Sequence, residues 1–297
     1  LEILTFVDML PLTADEVLRL STTFDQPFVS LRLVQRRLQA LRRAGLLVSR
    51  PYATASLGRS PHYVQLTRQG YRVLYGADAP LPRRRYFLPI ADARHRHTRA
   101  LSQFLVHLMV TAQRRGFQLC HFARENTVRI ETAIGSLYPD AAFQLVSPER
   151  RGYNFVLELD NGTERVRSNR DAESIEQKVR TYDRHQDNLP AYDRSRYVAL
   201  FVTTRSHQRL EHMLQTAAAV MSNPDRTLFL GTSLQRFLDI DDPFGVPCLL
   251  DQHLRPRFLI PDRDRRHQNP DHRRAGQHDG MLPSPPRRQA LSASHAP

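Results

Sequence analysis

The sequence predicts an α+β protein, and three features of its organisation predict it. Residues 1–76 show helical apolar periodicity that gives way to a hairpin pattern. Residues 97–260 alternate helix-like and strand-like segments. Residues 261–297 are rich in Arg, His, Pro and Asp, the composition of a disordered basic tail. Between the first two regions, residues 77–96 carry Pro80, Pro82 and Pro89 and the run Arg83-Arg84-Arg85, which reads as a linker.

Composition narrows the function classes. The chain has 43 Lys+Arg against 30 Asp+Glu, a formal charge of +13, which favours a polyanionic partner. Hydrophobic residues make up 40% of it, enough for a packed core. No apolar run approaches the ~20 residues of a membrane span. The first residues are mixed and include Glu2 and Asp8, unlike a signal peptide, so a cytoplasmic location is expected. Cys120 and Cys248 form no C-x-x-C pair; this argues against a zinc ribbon and a disulfide framework and leaves two free thiols as the expectation.

In the N-terminal region Thr13 is placed to cap a short helix, 14–20, with Glu16 at capping-box spacing. Ser30 caps a strongly periodic helix, 31–44, which Gly45 ends. Leu31, Val34, Leu38 and Leu41 form its apolar side. Arg32, Arg36, Gln39 and Arg43 fall within a narrow arc opposite, at about 100° per residue. Guanidinium groups pair with guanine edges or phosphates, and Gln pairs with adenine. Residues 46–48 and 63–66 read as paired strands, with Gly58-Arg59-Ser60 near the hairpin tip, so Arg59 joins the candidate DNA-binding set. Thr67 caps a further helix through Leu74. These parts compose a winged helix-turn-helix. "LQALRRAGLL" and the pattern Tyr-x-x-Leu-Thr-x-x-Gly at 63–70 resemble the corresponding segments of winged-helix regulators.

In the second region a helix, 97–115, is followed by strands at 117–122, 141–146 and 153–160, a helix at about 171–185, a strand at 197–202 and more αβ structure to 231. The last strand of the trio alternates Phe155, Leu157 and Leu159 with Val156, Glu158 and Asp160. Antiparallel pairing of the second and third strands brings Asp140 and Glu158 together. Lys178 is the only lysine; everywhere else in the Lys/Arg set the chain has arginine. A lysine kept in that background suits a role for a compact ammonium. The order of elements, Pro139-Asp140 and Glu158-Leu159-Asp160 resemble the core of PD-(D/E)xK nucleases, with one departure: Asp160 stands where the motif has lysine. Some members carry the lysine on the following helix, where Lys178 lies. The resemblance implies Asp140, Glu158 and Lys178 as catalytic residues. It also implies Asp140 and Glu158, with Asp160 as a third, as ligands of Mg²⁺, a cation suited to clustered carboxylates. Glu164 belongs to the same acidic group.

"YPDAAFQLV" at 138–146, "FVLELDNGTE" at 155–164 and "KVRTY" with Lys178 and Tyr182 resemble the replication-relaxation proteins of actinobacterial plasmids and integrative elements. That resemblance implies a double-stranded DNA partner at an origin-type site and a role in plasmid or mobile-element replication or transfer. Two alternatives accompany it: a Mg²⁺-dependent endonuclease or nickase, and a transcriptional repressor. Replication or transfer proteins are further candidate partners, and the apolar helix at 210–221 offers a seam for a homodimer. Tyr182 lacks the His-hydrophobe-His companion of relaxases, because His95-Arg96-His97 has Arg at its centre. That triplet is expected in a solvated helix start or a backbone-contacting linker. His121 and His185 are read as non-catalytic.

Overall fold

In the computed structural model, residues 1–53, 60–167, 174–190 and 192–261 are described. Arg59 at the hairpin tip, and the expected tail beyond Pro261, lie outside the described residues. The chain is mixed α and β, as the periodicities predict.

The N-terminal part runs α1 (Glu2–Met9), β1 (Leu12–Thr13), α2 (Ala14–Leu20), α3 (Leu31–Arg43), β2 (Leu47–Pro51), β3 (His62–Leu66) and α4 (Arg68–Tyr75). Its three strands pair antiparallel in the order β1-β3-β2. The Thr13–Glu16 capping box is formed: Glu16 N donates to Thr13 Oγ1 at 3.3 Å and Thr13 N donates to Glu16 Oε2 at 2.7 Å. Ser30 caps α3 through Leu33 N, and Gly45 leaves the helix at φ +71°. Val34 and Leu38 of α3 are buried with Leu12, Val17, Leu20, Leu47 and Leu66. Helix α1 was not foreseen in the mixed opening segment; Ile3, Leu4 and Val7 bury one side of it.

The Leu-Thr-x-x-Gly motif has a physical reason here. Thr67 Oγ1 accepts from Gly70 N at 3.0 Å, starting α4, and donates to Gly45 O at 2.6 Å. A Cβ on Gly70 would stand 2.1 Å from Leu46 O, so only glycine lets α4 lie this close to the chain leaving α3. Gly70→Ala is expected to cost about 2–3 kcal/mol through forced backbone displacement. Urea denaturation of the variant checks this, and unchanged stability would refute the close-approach account.

The stretch expected as a linker is packed along part of its length. Short 3₁₀ turns form at Arg84–Phe87 and Asp92–Arg94. The Tyr86 ring meets Tyr71 edge-on, its hydroxyl donates to Asp8, and the Arg124 guanidinium lies 4.4 Å from its centroid. The reason is aromatic: Tyr86 and Phe87 follow the arginine run and have apolar rings to bury.

The second region has α5 (His95–Arg114), β4 (Gln118–Arg124), β5 (Ile130–Thr132), β6 (Gly135–Leu137), β7 (Ala141–Val146), β8 (Gly152–Asp160), α6 (Ile175–Asp187), β9 (Val198–Thr203), α7 (His207–Val220), β10 (Phe229–Ser233), α8 (Leu234–Asp239), β11 (Leu249–Asp251) and β12 (Pro256–Arg257). Seven strands form one sheet in the order β12-β11-β10-β9-β8-β7-β4. The run β4, β7, β8 is antiparallel, whereas β9 is parallel to both β8 and β10. Such parallel neighbours need crossovers, which α6 and α7 supply. Residues 155–160 are all buried, as a strand covered on both faces requires. Val156, Ala199 and Phe201 share a core cluster with Val179 and Tyr182 of α6 and Leu210, Met213, Leu214 and Ala217 of α7. The apolar face expected as a dimer seam is therefore filled from within the same chain. No helix among the described residues is long and apolar enough to cross a membrane.

Candidate functional site

The sheet register builds the acidic site. Pairing of Ala141 with Leu157 sets Asp140, just before β7, opposite Glu158 on β8. Asp140 N donates to Leu157 O at 3.0 Å. Its side chain then extends the ladder, with Oδ2 accepting from Leu159 N at 2.7 Å. Oδ1 lies 2.9 Å from His97 Nε2, in the first turn of α5. Burial pushes the Asp140 carboxyl up, but His97, the Leu159 N–H and Lys178 outweigh it and hold the group below its ordinary range.

Glu158 is 3% exposed. Its Oε2 accepts from Lys178 Nζ at 2.8 Å, and its Oε1 accepts from the Tyr182 hydroxyl. Complete burial, offset by Lys178 and reinforced by nearby Asp140, pushes this carboxyl up to about 7. Lys178 Nζ also donates to Glu164 Oε1 at 2.9 Å. Burial pulls the ammonium down, yet Glu158 and Glu164 together hold it above its ordinary value, so it is charged. Burial raises Glu164, whose Oε2 has no hydrogen-bond partner among the described residues.

The register thus gathers Asp140, Glu158 and Lys178, with Glu164. It does not add Asp160, the expected third metal ligand. Asp160 receives Arg209 Nε at 2.6 Å and Nη2 at 2.7 Å, Thr203 Oγ1 at 2.8 Å and Gly162 N at 3.0 Å. The fork of a guanidinium matches a carboxylate edge to edge, and this one ties β8 to α7. Three of the four oxygens of Asp140 and Glu158 accept hydrogen bonds from the protein, and Asp140 Oδ1 lies within ion-pair distance of His97 Nε2. Among the described residues, no group of three His, Cys, Asp or Glu side chains could hold a metal ion. As arranged, these residues form an ion-pair network that leaves Glu164 Oε2 over, and they do not fit the expected Mg²⁺ site.

The histidines expected in a solvated helix start depart from that expectation. His97 is not simply solvated but faces Asp140, and His95 is 4% exposed. Tyr182 is fully buried, so its hydroxyl presents no nucleophile to a DNA backbone. Neither the His97 nor the Arg209 partnership had a sequence signal, since each joins elements far apart in the chain.

The second candidate surface lies on α3. Arg32, Arg36, Gln39 and Arg43 are all exposed, opposite buried Val34 and Leu38. Arg37 and Arg42, not singled out from the pattern, are exposed as well, and α3 carries no acidic residue. A cleft of about 540 Å³ runs between this helix, the start of α2 and the hairpin. Its lining includes Asp15, Arg32, Arg36, Gln39, Arg42 and His62.

No curated protein and no solved structure matches the chain. The family profile described as replication-relaxation matches residues 8–192, a span covering β1 to β8, α6 and both candidate surfaces. That family carries a role in plasmid or mobile-element replication or relaxation, with a DNA or replication-related partner. With more than half of its length matched, the chain belongs to the replication-relaxation family.

Proposed function

We propose that this chain binds double-stranded DNA at an origin-type site of a plasmid or mobile element. In this reading the N-terminal part is a winged helix, α3 is its recognition helix and the β2–β3 hairpin is its wing. One observation carries the reading: four base- or phosphate-competent side chains, Arg32, Arg36, Gln39 and Arg43, are exposed together on a helix whose other face is locked into the core. A helix so anchored offers its arginines to a major groove without a change of fold. The helix itself carries no carboxylate, and the acid beside it in the cleft, Asp15, belongs to the start of α2.

The test is a gel-shift titration over a salt series. Arg36→Ala combined with Arg43→Ala is expected to weaken duplex binding about 10- to 100-fold and to make the salt dependence shallower by about two phosphate contacts. Unchanged affinity would move recognition off α3.

A second reading, a Mg²⁺-dependent endonuclease or nickase, is favoured by the convergence of Asp140, Glu158 and Lys178. The present pairing of their oxygens with protein donors weighs against it. Supercoiled plasmid incubated with the protein and Mg²⁺, beside Asp140→Ala/Glu158→Ala, decides the matter. Metal-dependent relaxation lost in the double variant would establish the activity.

A further inference from the structure

The first turn of α5 carries two histidines that serve different parts of the molecule. His97 faces Asp140, in the acidic site. His95 turns to the loop end of the β2–β3 hairpin. Its Nδ1 accepts from Ala53 N at 2.6 Å, and its Nε2 lies 3.0 Å from Ile90 O. An Nδ1 that accepts from an N–H and an Nε2 that faces a carbonyl place the ring's donor at Nε2. The ring is buried and meets Tyr52 and Tyr63 edge-on, at centroid distances of 5.4 and 5.8 Å. Tyr63 accepts in turn from Ile90 N at 3.2 Å.

The position of this contact gives it consequence. The hairpin ladder ends at Pro51 paired with His62, followed by Tyr52 N donating to Pro61 O at 2.9 Å. Ala53 is the next residue out, where the backbone has left the ladder. β3 is held on its other side by β1, but β2 is the edge strand of the sheet, and its continuation past Pro51 has no ladder partner to fix it. His95 supplies that hold from outside the hairpin. Ser49 and His62, on the two strands, line the cleft beside α3, so the setting of the hairpin sets that cleft.

We infer that His95 is a positioning residue for DNA binding: held itself against Ile90 O, it accepts from Ala53 N and fixes the loop end of the hairpin, and with it the width of the cleft between hairpin and α3. The inference rests on the DNA-binding reading and adds to it a residue that touches no DNA. Through the same turn of α5, the hairpin is anchored beside His97 and the acidic site.

Three variants test it. His95→Gln keeps one acceptor and one donor. His95→Leu keeps apolar bulk and neither bond. Ala53→Pro removes the donated N–H and leaves the histidine in place. Each is measured for binding of a short labelled mixed-sequence duplex over a salt series, and, without DNA, for amide hydrogen exchange across 47–53 and 62–66. His95→Leu and Ala53→Pro are expected to bind about tenfold more weakly, with a salt slope shallower by about one contact, while His95→Gln stays within about threefold of wild type. Hairpin amides should exchange faster in the first two variants only. Wild-type binding and exchange in either folded variant lacking the bond would overturn the inference. So would a His95→Gln protein as impaired as His95→Leu, since the bonds would then not be the cause. A wild-type chain that fails to bind duplex would instead remove the DNA reading, and the exchange data would still decide whether His95 anchors the hairpin.

Discussion

Lys178→Met is expected to destabilise the protein by about 3–5 kcal/mol, the cost of leaving a buried charge without its partner. The ammonium stands between two carboxylates, 2.8 Å from Glu158 and 2.9 Å from Glu164, with only 18% of its side chain exposed. Methionine fills similar volume and removes the charge, so packing changes little and electrostatics change most. Glu158 can escape by taking up a proton, which Lys178 now opposes. The loss should therefore be larger at pH 8 than at pH 5. Adding Glu158→Gln to Lys178→Met removes the stranded charge and should restore part of the stability. Lys178→Arg should be intermediate, because a forked guanidinium is larger than the point charge the two carboxylates enclose. Urea denaturation at the two pH values reads all of this. A loss below about 1 kcal/mol, the scale of an exposed ion pair, would mean that water already screens the cluster.

What the sequence disclosed, and what it withheld, follows contact range. Helix α3 was legible because its information is local: an apolar stripe, a serine cap and a terminating glycine all lie within sixteen residues of chain, 30–45. The meeting of Asp140 and Glu158 was legible because β7 and β8 are joined by a short turn and must pair antiparallel. Asp160 shows where this reasoning stops. Alternation put it on the same face as Glu158, correctly, but its partner Arg209 belongs to α7, after a crossover through α6 and β9. Nothing near Asp160 in the chain specifies a guanidinium. His97 met Asp140 for the same kind of reason, since the approach of α5 to the head of β7 is set by the whole sheet. The apolar face of α7 was read as apolar, but periodicity does not say whether a second copy or the chain's own sheet covers it; β9 and β10 do. The packed stretch 84–87 was obscured by prolines and arginines around it, although Tyr86 and Phe87 carried the signal.

The two halves of the family match come together at α5. The same helix turn that anchors the hairpin supplies the histidine beside Asp140. One turn of α5 thus touches both the hairpin and the acidic network. The pH response of that network has a defined sign.

Between pH 4.5 and about 7, the wild-type protein is expected to lose stability that Glu158→Gln retains. The folded carboxyl of Glu158 titrates near 7, above its ordinary 4.5, because burial disfavours the anion more than Lys178 restores it. A carboxyl raised on folding binds its proton more tightly in the native state than in the unfolded chain. Its contribution is complete below 4.5 and disappears as the pH rises through about 7. A displacement of this size corresponds to a few kcal/mol, on the order of 3. Asp140 and Asp160 act in the opposite sense. Their folded carboxyls lie below the ordinary 3.8, so their contribution is present above that value and is lost only in stronger acid. The two effects occupy separate pH windows. Subtracting the Glu158→Gln profile from that of the wild type isolates the Glu158 limb, since the other carboxyls remain in both proteins. Denaturant midpoints taken at intervals from pH 4 to pH 8 give the difference curve. A difference that stays flat across the interval would show that Glu158 is ionised throughout, paired fully with Lys178.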